Sequence, residues 1–176
     1  TKSAIIKFSQ NGGIVYEPTD TLNQSIIDLQ LCVVGGKIFY NSSGTNNNTL
    51  VVRNSTTGIL EKEKEISSRM SLCAYGDSLI GVTSSSSARV LIMNTNTDSS
   101  RSFPLGYSLT QGFVSVCQKE NNVWLCGLYY SSGYHGFIEK RNLISGTLVW
   151  RKNFIGANPI YANLDTAGNS YVVATY

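Results

Sequence analysis

LQLCVVGGKIFY (29–40), MSLCAYGDSLIG (70–81) and VSVCQKENNVWLC (114–126) are one pattern written three times. A fourth copy, YANLDTAGNSYVVATY (161–176), carries Leu164 where the others carry cysteine. Cys32, Cys73, Cys117 and Leu164 are thus spaced by 41, 44 and 47 residues. A period in this range marks propeller blades or a solenoid. Each copy is two short β-prone runs around a Gly-, Asn- or Asp-rich turn: Gly35-Gly36, Gly76-Asp77, Asn121-Asn122 and Ala167-Gly168-Asn169. Such pairs specify hairpins, because primed turns need positive φ.

A second hairpin alternates with the first. TLVVRN-STTG-ILEKEKE (49–65) and GFIEKRN-LISG-TLVWRKNF (136–154) are clear copies. RVLIMN-TNTD-SSRSFPL (89–105) is a weaker one, with Asp98 where the others have Gly58 and Gly146. The first residues, SAIIKFSQNGGIVYE (3–17), repeat the pattern through Gly12 and Gly13. The chain therefore opens on a second hairpin without its first and closes on a first hairpin without its second. The predicted fold is all-β: a β-propeller of four four-stranded blades, one of them closed by strands from both termini. Closure protects strand edges. The same ends also fit two intermolecular routes, half of a larger ring or a filament. ILEKEKEISSRM alone admits a helical reading, and strand is preferred because its copies are strands. The whole chain, 1–176, reads as a single domain, either complete or a module of a larger protein or assembly.

GFIEKRNLISGTLVWRKNF followed by NPIYANLDTAGNSYVVATY is similar to the β-propeller repeats called SBBP, and more loosely to PQQ-type propeller repeats. The matching residues are Phe137, Ile138, Lys140, Gly146 and Trp150, then Asp165, Gly168, Asn169, Tyr171 and Val172. Ile6, Lys7 and Gly13 repeat the match near the start; the third unit departs from it. The resemblance implies a propeller scaffold in surface or secreted proteins and carries over no catalytic or cofactor residue.

The composition narrows the function. Charged residues are 14% of the 176, net charge is +3, and the cations are scattered, so no basic block suggests nucleic acid. No apolar run approaches the length of a membrane-spanning helix. Low charge with Ser-, Thr- and Asn-rich loops suits an extracellular or cell-surface protein, and a start at Thr1 fits a processed or excised chain. Sequons stand at Asn23, Asn41, Asn47 and Asn54 as possible N-glycosylation sites.

The sole histidine, His135, reads as an exposed loop residue without a triad around it. Glu61, Glu63 and Glu65 alternate with Lys62 and Lys64 along a strand, which puts each sign on its own solvated face. Nothing supports a glycosidase pair among Asp20, Asp28 and Asp165. DTAGNS lacks calcium-loop spacing and reads as a turn. We expect no enzyme activity, no cofactor and no metal. Counting outward from an Asn121-Asn122 turn sets Cys117 opposite Cys126, within a disulfide's reach. Loops after the first hairpins and loops leading into them share one end of the blades. They gather Tyr107, Gln111, Tyr130, Tyr134, His135 and Asn158 into a candidate ligand face for a protein or glycan. The sequence thus predicts a non-catalytic extracellular or adhesive interaction module. The alternatives are a carbohydrate-binding lectin, or half of a larger propeller enzyme or dimer.

Overall fold

The computed structural model describes residues 7–11, 14–16, 25–43, 48–109, 115–130, 134–154, 156 and 158–175. All regular structure among them is strand: β1 (Lys7–Phe8), β2 (Ile14–Tyr16), β3 (Ser25–Val34), β4 (Lys37–Ser43), β5 (Asn48–Asn54), β6 (Leu60–Ile66), β7 (Met70–Tyr75), β8 (Ser78–Thr83), β9 (Arg89–Asn94), β10 (Ser100–Pro104), β11 (Ser115–Lys119), β12 (Asn122–Tyr130), β13 (Tyr134–Asn142), β14 (Leu148–Phe154), β15 (Asn158–Leu164) and β16 (Ser170–Thr175). They form three four-stranded antiparallel meanders: β3 to β6 is blade 1, β7 to β10 blade 2, β11 to β14 blade 3. β1–β2 and β15–β16 are two-stranded sheets. The strands of a fourth blade are thus shared between the two ends, two from each. The predicted hairpin pairs and their alternation hold, and ILEKEKEI lies in the strand β6.

The chain divides into two compact units, residues 1–69 and 70–176. In the first, five consecutive residues of β5, Thr49 to Arg53, are buried, whereas Leu60 to Glu65 of β6 are all exposed. A charged outer strand discourages edge-to-edge pairing. The second unit has two apolar layers, separated by the period-2 alternation of β12. Val123 and Leu125 face blade 2 and join Ile80, Val82 and Val90. Trp124 and Cys126 point the other way and join Ile138, Ala162, Leu164 and Val172.

The second hairpins share one turn design. Asn54, Asn94 and Asn142 each accept, at Oδ1, the backbone N–H groups two and three residues on. The residue four positions on donates its N–H to the asparagine carbonyl. That residue has φ of 75° at Gly58, 57° at Asp98 and 74° at Gly146. The residue after each asparagine (Ser55, Thr95, Leu143) donates to a carbonyl in the first-hairpin turn: Gly36, Asp77 or Asn121. The two turns of each blade are therefore locked together.

That lock corrects the register of blade 3. The turn is Glu120-Asn121, with Lys119 opposite Asn122, not Asn121-Asn122. Glu120 takes a φ of 54°, as Gly35 and Gly76 do in the other blades. Cys117 consequently faces Trp124, and Cys126 faces Ser115. The two cysteines share a face diagonally, and both are free thiols. Burial pushes the Cys117 thiol up to about 11 and, with Cys117 beside it, the Cys126 thiol up to about 12. A second correction concerns the fourth copy. The pairs Cys32–Phe39, Cys73–Ile80 and Cys117–Trp124 match Asn163–Tyr171, so Asn163 and not Leu164 takes the cysteine's place. Leu164 lies on the opposite face, packed toward blade 3. The five-residue loop Asp165–Asn169, longer than the other turns, shifts the phase.

Asn41 is 2% exposed within β4, which leaves no room for a glycan on the folded chain. Asn54 spends its amide on Glu61 and its carbonyl on the turn. Asn23 and Asn47 lie outside the described residues.

Candidate functional site

Blade 3 carries charge on a face that its sister blades keep apolar. Strand alternation sets His135, Phe137, Glu139 and Arg141 of β13 on one side, opposite Tyr129, Gly127, Leu125 and Val123 of β12. On β14, Arg151 pairs with Glu139. The positions equivalent to Glu139 are Val51 in blade 1 and Leu91 in blade 2.

Glu139 is 0% exposed, and a buried carboxylate is tolerable only when its acceptor sites are filled. Here they are. Oε1 accepts from Arg141 Nε at 2.7 Å and from the Tyr107 hydroxyl at 2.6 Å. Oε2 accepts from Arg151 Nη2 at 2.7 Å and Nε at 3.0 Å. Arg141 spends its remaining nitrogens on the Gly146 carbonyl (3.1 Å) and the Leu105 carbonyl (3.0 Å). This ties the second-hairpin turn to the loop between β10 and β11. Arg53 makes the same turn contact in blade 1, to the Gly58 carbonyl at 2.8 Å, with Tyr40 Oη accepting from its Nε.

The Arg151 guanidinium lies among three rings: 4.1 Å from Tyr107, 5.0 Å from Phe137 and 5.1 Å from Tyr129. Such placement adds cation–π attraction to the ion pair. Tyr129 in turn stacks on His135 at 5.3 Å, and His135 is exposed. The loop carrying Tyr107 is fastened beside them. Leu105 N–H donates to Ala88, Leu109 N–H to Ser85 and Ser108 Oγ to Ser86, while Leu109 bridges to Tyr129.

Two guanidinium groups face one carboxylate, so the cluster carries one excess positive charge. Burial first, then the adjoining Glu139 charge, raises the Tyr107 hydroxyl well above the usual phenol range; it stays protonated and donates. With both its oxygens committed, Glu139 is a structural anchor rather than a base poised for proton transfer. The chemistry offered at the surface is stacking and hydrogen bonding.

Of the residues expected at this end, Tyr107 and His135 come together through Tyr129. His135 lies within β13 rather than in a loop. Tyr130 pairs with Tyr134 at the end of the same hairpin, and Asn158 lies on β15 opposite Thr175. The side chains of these three, and all of Gln111, lie outside the described residues, as does Asp20. Asp165 belongs to its turn: hydrogen bonds from the Asn169 side chain and backbone, and from Tyr171, hold its carboxyl below the usual range. Sequence reading missed Tyr129, Glu139, Arg141 and Arg151. The signal was available: an acidic residue stands in a strand position where both sister copies are aliphatic.

No protein-family model matches the sequence, and no curated protein matches it. Solved structures do. BamB from Moraxella catarrhalis is 12% identical with a TM-score of 0.66, over 94% of this chain and 51% of that one. The computationally designed Ika8 protein is 12% identical with a TM-score of 0.57, over 93% and 49%. The computationally designed Ika4 protein is 13% identical with a TM-score of 0.53, over 82% and 88%. This chain thus spans about half the length of the BamB chain. At these identities the likeness is of fold, and the fold is a β-propeller.

Proposed function

We propose that this β-propeller is a non-catalytic interaction module of the cell surface or extracellular space, of the SBBP kind that its repeats resemble. In this reading it engages a protein partner through the end of blade 3. The observation that carries it is the stack His135–Tyr129–Arg151–Tyr107, pinned from behind by buried Glu139. Rings and a guanidinium held rigid before binding lose little entropy on contact, which is what anchor residues of an interface need. A low-charge, Ser- and Asn-rich surface supports an extracellular setting. A carbohydrate ligand is the second reading, favoured by the exposed His135 stacked on a tyrosine beside hydroxyl-rich loops.

The test is binding of the purified chain to intact cells and matrix proteins, with a glycan array alongside. His135→Ala and Tyr129→Ala are expected to lower cell or matrix binding at least tenfold. Array signal lost in the same variants, without matrix binding, selects the glycan reading. Binding unchanged in both variants removes this end of blade 3 from consideration.

A further inference from the structure

The blades of the second unit have two distinct faces. Blade 2 turns Cys73, Ile80 and Val82 toward blade 3, which meets them with Val116, Val123 and Leu125. Blade 3 turns Cys117, Trp124 and Cys126 toward β15–β16, which meets them with Ala162, Leu164 and Val172. The same joint is therefore built twice in succession. On β15–β16 the outward counterparts are Tyr161 opposite Val173 and Asn163 opposite Tyr171. Nothing in the chain buries them: Tyr161 is 52%, Tyr171 62% and Val173 54% exposed. This is the face that, by the repeat, a further blade covers.

Blade 1 shows the reciprocal surface. Leu31 and Val33 alternate along β3 with buried Cys32 and Val34, and are 48% and 54% exposed. By the cysteine alignment they correspond to Val116 and Gln118, on the side by which blade 3 meets the blade before it. The chain thus ends on a surface shaped for a following blade and begins with one shaped for a preceding blade. Contiguous exposed apolar surface of this kind marks an association site. BamB and Ika8 identify the occupant, since this chain fills only 51% and 49% of those propeller chains while using 94% and 93% of itself.

The geometry points to a second copy of this chain as the partner of the β15–β16 face. The second copy's β1–β2 completes the terminal blade, and its Leu31 and Val33 seat against Tyr161, Tyr171 and Val173. The contact is head-to-tail, and two copies close it into a ring with two identical junctions; failure to close gives a filament.

Light scattering on the full chain tests this. The expected mass is twice 19.2 kDa. The double variants Tyr171→Glu/Val173→Glu and Leu31→Glu/Val33→Glu are each expected to be monomeric with unchanged near-ultraviolet circular dichroism. An equimolar mixture of the two regains dimer, because one wild-type junction re-forms. Tyr171→Ala, which adds no charge, weakens association at least tenfold and serves if a glutamate pair unfolds the hairpin. Mass growing with concentration, and abolished by the same variants, also upholds docking of copy on copy. A monomeric wild-type chain, or a dimer that survives both double variants and Tyr171→Ala, overturns it.

Discussion

Glu139 accepts four hydrogen bonds from three side chains, and each donor depends on it differently. Tyr107 loses a partner if the carboxylate goes; Arg141 and Arg151 become two like charges with no counter-ion, one of them buried. Glu139→Leu, the residue blade 2 has at this position, is therefore expected to destabilise the fold by about 3–5 kcal/mol. The triple change Glu139→Leu, Arg141→Met, Arg151→Ser copies blade 2 fully, since Leu91, Met93 and Ser102 stand there. It removes the charges together, and replacing a buried ionic group by apolar residues is often neutral. Urea titration of the two variants checks this. A triple variant less stable than the single one would mean that the ion network stabilises blade 3 beyond its own desolvation.

At the scale of the element, the second-hairpin turn is a single device with a single demanding position. Gly146 has a φ of 74°, and a Cβ built on it would lie 2.7 Å from Cγ of Phe103. Gly146→Ala is thus strained twice, by the left-handed backbone and by the ring, and should cost more than the ~1–2 kcal/mol of the backbone alone. Asp98 holds the same position in blade 2 at 57° without the freedom of glycine. Asp98→Gly is expected to stabilise by about 1 kcal/mol. Thermal melts of the two variants should move in opposite directions. Movement in the same direction would show that the two turns are not equivalent. The asparagines that open these turns give each blade its register, because side-chain acceptance of two N–H groups leaves only one place for the chain to reverse.

At the scale of the molecule, the strand count is the strongest constraint. Three whole blades leave β1–β2 and β15–β16 as remnants of one more. An isolated two-stranded hairpin is marginal in water, so such remnants gain stability by joining. Removing residues 1–16 is expected to raise hydrogen exchange over residues 158–175 while β7 to β14 stay protected. The expectation holds whether the strands come from the same chain or from a second copy. Exchange over β15 and β16 that is indifferent to the truncation would show that the two hairpins do not form a blade together.

The repeat, its period, the two hairpin types and the division of one blade between the ends were all legible in the sequence. They are local matters: turns need Gly, Asn or Asp at fixed places, and strands alternate their faces with period two. His135 and Tyr107 were legible as neighbours at one end because topology alone carries loops there. Tertiary structure decided the rest. The Asn121 turn slid by one residue because its carbonyl is held by Leu143, a contact between two turns that no local pattern contains. Leu164 lost the cysteine's place to Asn163 because a longer loop changed the phase, while burial against Trp124 and Ile138 fixed which face is inward. Arg151 joined Glu139 only through a cross-strand register, and Tyr107 reached the same carboxylate from 32 residues away. A charge can be buried only where distant donors converge on it, and that convergence exists only in the folded chain.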